Sequence, residues 1–195
     1  MKKEIEKRII TLFIQNDGII RTKDITDEKI HNTYLKKLEE NGTIQKIKRG
    51  LYKLNEYDNE DELKEVCKII PNGVICCLSA ASFYELTTHN PAYYTIAIPR
   101  GTKIKFPEYP PIKLTYFSQN EYTLGIIKSD NITIYDIEKT VCDIIRFRKR
   151  IGTDIMKEVI QNYLKRKDKN ITKLIEYSLK LRVAKQLKTY LDVLV

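Results

Sequence analysis

The sequence predicts an α+β protein in two parts, a basic helical head closed by a hairpin and a mixed α/β domain that ends in a helical tail. Three observations carry this. Residues 31–54, HNTYLKKLEENGTIQKIKRGLYKL, read as a short basic helix, a turn at Asn41 and Gly42, and two strands folded over a cationic tip at Lys48, Arg49 and Gly50. Runs of β-branched and aromatic residues recur between 93 and 135, bounded by Pro and Gly. From Asp136 onward apolar residues return at every third or fourth position, the period of helices.

In the head, residues 2–16 form a helix because Ile5, Ile9, Leu12 and Phe13 fall at i, i+4, i+7 and i+8 on one face. Asp17 and Gly18 end it, glycine suiting a left-handed cap. Ile19 and Ile20 form a short strand or plug the core. Thr22 suits the N-cap of a second helix reaching about Glu28, and a turn at 29–31 leads to a third helix over 32–40. Leu35 and Leu38 face the first helix, which leaves Asn32, Thr33, Lys36 and Lys37 outward and Tyr34 at the side. In the hairpin Thr43, Ile44 and Ile47 turn partly inward, Leu51, Tyr52 and Leu54 return to the core, and Lys46, Lys48 and Arg49 gather at the tip.

Short helices followed by a cationic hairpin make a winged helix-turn-helix, a fold that reads duplex DNA. On that reading Asn32, Thr33, Tyr34, Lys36 and Lys37 form the recognition surface. Asparagine pairs with adenine, threonine bonds a base or meets a thymine methyl, and lysine reaches guanine or phosphate. Lys46, Lys48 and Arg49 neutralise phosphates, so their worth falls with salt. A helical module with a hairpin also suits protein binding, and Lys36 and Lys37 also suit a solvated face.

Beyond residue 55 the stretch NEYDNED (55–61) is a polar linker or a helix start, and 63–70 is a helix stopped by Pro71, Asn72 and Gly73. Residues 74–86 are almost continuously apolar, with Ser79, Ala80, Ala81 and Ser82 at the centre, which suits a helix packed closely on a sheet. Strands are expected at 93–98 and 112–117, and a further pair at 122–127 and 131–135 around a turn at 128–130. Asp136 caps a helix to about Phe147, Gly152 and Thr153 break and recap the chain, and helices follow at 154–167 and 170–180. Val183, Leu187, Tyr190, Leu191 and Leu194 make a last apolar stripe that must dock on this chain or on a partner. The expected domains are residues 1–55, the winged helix-turn-helix, and 56–195, with strands at about 93–135 and helices at about 136–194.

A chain of 195 residues that is 42% hydrophobic and 31% charged buries a substantial core and has the composition of a soluble globular protein. No apolar run reaches the roughly 18 residues of a membrane helix, and the opening MKKEIEKRII mixes acids with bases, unlike a signal peptide. A cytoplasmic protein without membrane contact is expected. The net charge of +9 is uneven: 13 Lys/Arg against 8 Asp/Glu in residues 1–54, 7 against 10 in 55–130, and 15 against 8 in 131–195. An anionic partner touching the two ends fits that distribution.

Catalytic chemistry is missing from the pattern. Cys67, Cys76, Cys77 and Cys142 lack metal-ligand spacing and are expected as free thiols, mostly buried. His31 and His89 lack a nucleophile partner, His31 reading as a helix cap or a neighbour of DNA. Neither a P-loop nor a GxGxxG motif is present. Asp136, Glu138 and Asp143 could approach a metal, but capping and surface solvation account for them. No catalytic residue, metal or cofactor is expected. A DNA-processing enzyme with a fused winged helix would have to use those three carboxylates, and a protein-binding adaptor would need none. Arg146, Arg148, Lys149 and Arg150 form the densest basic cluster, suited to a phosphate backbone, a protein partner or a solvated helix end.

The order of segments resembles the AbiEi antitoxins of bacterial type IV toxin–antitoxin loci, which act in abortive infection and phage defence. The resemblance rests on the wing residues Arg49, Gly50 and Tyr52, on Ser79, Ala80, Leu86 and Thr87, and on the segment from Tyr135 and Asp136 through Asp143. It implies an N-terminal domain that represses its own promoter at inverted repeats, and a C-terminal domain that counters a nucleotidyltransferase-like toxin directly or indirectly. The basic cluster at 146–150 is then a candidate toxin contact. Family members often carry Arg-Thr where this chain has Lys139 and Thr140, and a lysine cannot make arginine's forked bonds.

Overall fold

The apolar face of the first helix organises the N-terminal unit. The computed structural model describes residues 3–57 and 62–194. The chain divides into two compact units, one reaching to Ile70 and including Lys105–Pro107, the other formed by Pro71–Ile104 and the chain from Glu108 onward. In the first unit α1 (Lys3–Gln15) buries Ile9 and Phe13. β1 (Ile19–Arg21), α2 (Thr22–Asp27), α3 (Thr33–Glu40), β2 (Ile44–Lys48) and β3 (Leu51–Leu54) follow. Ile25, Leu35, Leu38 and Ile44 join Ile9 and Phe13 in one core, where full burial of such a side chain contributes about 1.5–3 kcal/mol. Both β1 and β2 pair antiparallel with β3, in the order β1-β3-β2. This is the winged helix-turn-helix that the sequence predicts.

The first unit does not stop at residue 55. α4 (Glu62–Ile69) belongs to it: Lys53 Nζ lies 2.7 Å from Glu65 Oε2 and Lys68 Nζ 3.3 Å from Asp17 Oδ2. Residues 58–61 of the expected linker, and the expected helix start at Lys2, lie outside the described residues. At the end of α1, Gly18 has φ +72° and the Tyr57 ring lies 2.3 Å from where a Cβ would sit. That position therefore needs glycine for both backbone and space.

The second unit is built on a mixed five-stranded sheet, in the order β6-β5-β4-β8-β7. Its elements are β4 (Val74–Ile75), α5 (Cys77–Phe83), β5 (Tyr94–Pro99), β6 (Ile112–Phe117), α6 (Gln119–Thr123), β7 (Ile126–Ser129), β8 (Ile132–Tyr135), α7 (Ile137–Arg146), α8 (Arg148–Ile151), α9 (Thr153–Lys165), α10 (Ile171–Lys180) and α11 (Ala184–Leu194). β4 runs antiparallel to β5 and parallel to β8. Two expectations are corrected here. Residues 74–75 are a central strand rather than the start of a helix, since a fully buried strand shows no polar alternation to separate it from a buried helix. Residues 122–123 are helical rather than extended, because Ser118 caps α6 and Glu121, three residues on, accepts its N–H at 3.0 Å. The terminal stripe docks on this chain. Val183 and Leu187 are buried, and Tyr190 and Leu191 half-buried, against residues of α7, α9 and α10, while the Leu194 side chain lies outside the described set.

α7 is the buried axis of this unit. Asp136 caps it, accepting from the Lys139 N–H at 2.8 Å. Lys139 and Asp143 are both 0% exposed, and the ammonium donates to Asp143 Oδ1 and Oδ2 at 2.7 and 2.6 Å. It also lies 4.5 Å from the Phe117 ring centre and 4.3 Å from that of Tyr135. Burial pushes the Asp143 carboxyl up from its ordinary range, against the opposing pull of Lys139. Glu138 is buried too, accepting from Tyr163 Oη at 3.1 Å and the Asn170 N–H at 3.2 Å. Surface solvation therefore does not account for Glu138 and Asp143, although capping does account for Asp136. Cys76, Cys77 and Cys142 are buried free thiols and Cys67 is half-buried. No helix among the described residues is long and apolar enough to cross a membrane.

Two outcomes are expected from urea unfolding. Gly18→Ala lowers stability by clearly more than Gly42→Ala, for which a Cβ meets nothing and only the left-handed backbone penalty of about 1–2 kcal/mol applies. Equal losses would show that the Tyr57 ring yields freely. Lys139→Met strands a buried carboxyl and costs about 3–5 kcal/mol, whereas Lys139→Met with Asp143→Leu recovers much of that loss. A double variant as unstable as the single would place the effect in packing rather than charge.

Candidate nucleic-acid interface

The outward face of α3 and the β2–β3 hairpin enclose a cleft of about 800 Å3, bordered among others by Asn32, Thr33, Lys36, Lys46, Arg49 and Tyr52. α3 presents these residues because Leu35 and Leu38 hold its other face in the core. Its N-terminus is served by His31, whose Nδ1 accepts from the Thr33 N–H at 3.3 Å and meets Thr33 Oγ1 at 2.9 Å. Asn32 occupies the N-cap position yet makes no capping bond with its side chain. The amide that would ordinarily close the helix is thus left at the edge of the cleft. Of the two readings of His31, helix cap or neighbour of DNA, this bond supports the first, made from the position before the N-cap.

The hairpin carries a bulge between Lys46 and Lys48, where the register with β3 shifts. Lys46 lies across from Tyr52, so ring and ammonium share one face of the wing. Gly50, at φ +77°, turns the tip, and its carbonyl accepts from the Thr22 N–H at 3.0 Å, which ties the wing to the first residue of α2. Asp24 steadies that helix start by accepting from the Arg21 N–H at 2.7 Å, so the cap lies one residue before the expected Thr22.

The structure brings five of the eight expected DNA-facing residues to this cleft: Asn32, Thr33, Lys36, Lys46 and Arg49. Lys37 is exposed on α3 outside it. Tyr34 is half-buried against the core. Lys48 turns away from the tip and donates to the carbonyl of Ile69 at the end of α4. Burial, and then the neighbouring Arg21, lower its pKa. Sequence reasoning did not assign Thr22, Glu39 and Tyr52 to this surface, yet all three border the cleft. Tyr52 was legible from strand alternation opposite Lys46, whereas Thr22 and Glu39 had no local signal. Lys36 faces Glu40 at 3.8 Å with both side chains exposed, a pairing that releases readily to a stronger anion.

The basic cluster at 146–150 lies in the second unit and is divided among surfaces. Arg146 and Arg148 line a polar cleft with Arg100, Lys180 and Arg182. Arg150 stacks over the Phe147 ring at 4.6 Å and borders a small cavity that Cys77 and His89 also line, without a hydrogen bond between those two. Lys149 is exposed.

Residues 7–55 match the model of a family described as transcriptional regulator, AbiEi antitoxin. No curated protein matches the chain. The matched span runs from within α1 to the end of β3 and includes every residue that borders the cleft.

Lys48→Ala is expected to lower the melting temperature of the protein, because it removes the tie between wing and α4. Arg49→Ala, an exposed side chain, should leave it within the scatter of surface substitutions, about 0.5 kcal/mol. Equal melting temperatures for the two variants would argue against the tie.

Proposed function

We propose that this chain, whose residues 7–55 match the model of the AbiEi antitoxin transcriptional regulators, is a regulator of that family and binds duplex DNA in the cleft between α3 and the wing. In this reading it represses its own promoter at inverted repeats, as the antitoxin of a type IV system opposing a nucleotidyltransferase-like toxin in the cytoplasm. One observation carries the proposal: Asn32 and Thr33, free of core packing, meet Lys36, Lys46 and Arg49 across a single cleft. Amide and hydroxyl can read base edges, and the cations hold the adjoining phosphates. Glu39 adds an acceptor at the same surface, suited to a cytosine amino group and repelling misplaced phosphate.

No catalytic role is assigned. The carboxylates that an enzyme would need are engaged within the second unit: Asp143 with Lys139, Glu138 with Tyr163, and Asp136 with the N-terminus of α7 and with Lys173 Nζ at 3.0 Å. Removing any of them is a change in stability.

A gel shift on the chain's own promoter, at two salt concentrations, tests the reading. Binding should prefer that promoter over bulk DNA near physiological salt, and absence of such preference overturns the repressor assignment. Lys46→Ala with Arg49→Ala should weaken binding about equally on all sequences and reduce the salt slope by about 1 per lost phosphate contact. Asn32→Ala should instead relax sequence choice. Preference retained by that variant would place recognition on other residues.

A further inference from the structure

The second unit holds a cleft of about 640 Å3 into which three segments deliver cations: Arg100 at the end of β5, Arg146 and Arg148 around the α7–α8 junction, and Lys180 and Arg182 at the end of α10. One carboxylate, Glu121, stands against them in the lining, with its Oε1 2.8 Å from Arg146 Nη1. Lys180 has a partner on its own helix, Glu176, at 2.6 Å. Arg100, Arg148 and Arg182 have no carboxylate partner among the described residues, and Arg148 donates only to the Ile145 carbonyl. Guanidinium groups that line one cleft with a single opposing carboxylate give it a potential that favours an anion.

These groups sit on anchored backbone. The Arg100 N–H donates to the Phe117 carbonyl at 2.8 Å. Arg182 stands at φ +59°, a conformation that a side-chain-bearing residue adopts only when its surroundings impose it. Buried Leu181 and Val183 on either side impose it, with the Val183 N–H on the Ser178 carbonyl at 2.8 Å. Arg146 is fixed over the Phe117 and Phe147 rings, 5.8 and 5.6 Å from their centres.

We infer that this cleft is a binding site for a small ligand carrying two or three linked phosphate groups. A guanidinium fork fits the paired oxygens of carboxylate and phosphate alike, but linked phosphates carry more charge and more free oxygens per ligand, enough to meet several arginines at once. The volume is that of a small-molecule pocket. No aromatic ring stands among the described residues that line it, and its cations are suited to the phosphates, which carry the recognition. The site is independent of the DNA-binding reading, since it shares no residue with the α3–wing cleft.

Calorimetric titration of the full chain with sodium tripolyphosphate, at about 0.15 M salt, tests the inference. Saturable one-to-one binding is expected. Arg100→Ala with Arg182→Ala should weaken it about tenfold or more, the loss expected for two charge-assisted hydrogen bonds. That variant should keep its melting temperature, because neither guanidinium bonds to another described residue. Lys46→Ala with Arg49→Ala should bind tripolyphosphate as the parent does. Absence of saturable binding, undiminished binding by the Arg100/Arg182 variant, or loss of binding in the wing variant would each overturn the site. ATP that binds more than tenfold tighter than tripolyphosphate would overturn recognition by phosphates alone. Displacement by a short DNA duplex in the wing variant, or by a glutamate-rich peptide, would overturn the small-ligand assignment.

Discussion

The ammonium of Lys139, wholly removed from water beside the equally buried carboxylate of Asp143, is the constraint around which the second unit is arranged. A charge there is tolerated only if its donors find acceptors and the surrounding dielectric is offset by oriented groups. Both oxygens of Asp143 accept from it, and the faces of Phe117 and Tyr135 supply the remaining negative potential. Those rings come from β6 and β8, so one side chain couples two strands of the sheet to the axis helix. The approach is close enough that Gly125 cannot carry a Cβ, which would lie 2.9 Å from Asp136 Oδ2 and 3.0 Å from Lys139 Cβ. Around the same helix start, Tyr177 donates to Asp136 at 3.1 Å and Lys173 bridges Asp136 and Glu138, bringing α10 onto α7. The polar network fixes the pairing of helices and strands, and the apolar contacts around it supply most of the free energy.

This also gives a physical account of the lysine that stands where the resembled family often has arginine. A compact ammonium, 2.6 Å from its carboxylate and enclosed by two rings, fills a pocket in which only one direction of hydrogen bonding is offered. The forked geometry of arginine is not required for such a contact.

In the N-terminal unit a different economy of side chains prevails. Capping of α3 falls to His31, and anchoring of the wing falls to Lys48 and to the Thr22–Gly50 backbone bond. Asn32, Lys46 and Arg49 are thereby released from structural duties and share the surface of the α3–wing cleft. Rigid backbone support beneath these groups means that binding a partner there costs side-chain ordering but little backbone ordering.

The elements that were legible in the sequence are those whose signal is local and periodic. The 3.6-residue stripe of Ile5, Ile9 and Phe13, the Asn41–Gly42 turn, the β-branched run of β6 and the Asp136 cap each express a short-range steric or hydrogen-bonding preference that needs no other part of the chain. The misreadings have equally local causes. Val74 and Ile75 form a strand too short to show a period, and Tyr122 carries strand propensity that the Ser118–Glu121 capping box overrides. What the sequence by itself determined is therefore the α+β composition, the winged head and which cations could face an anion. Only the tertiary structure decided that Lys48 turns inward, that Glu138 and Asp143 lie buried, and that Arg100, Arg148 and Arg182 meet in one cleft. Charge is written residue by residue, but its effect depends on burial and on neighbours distant in sequence, and both arise only when the chain has packed.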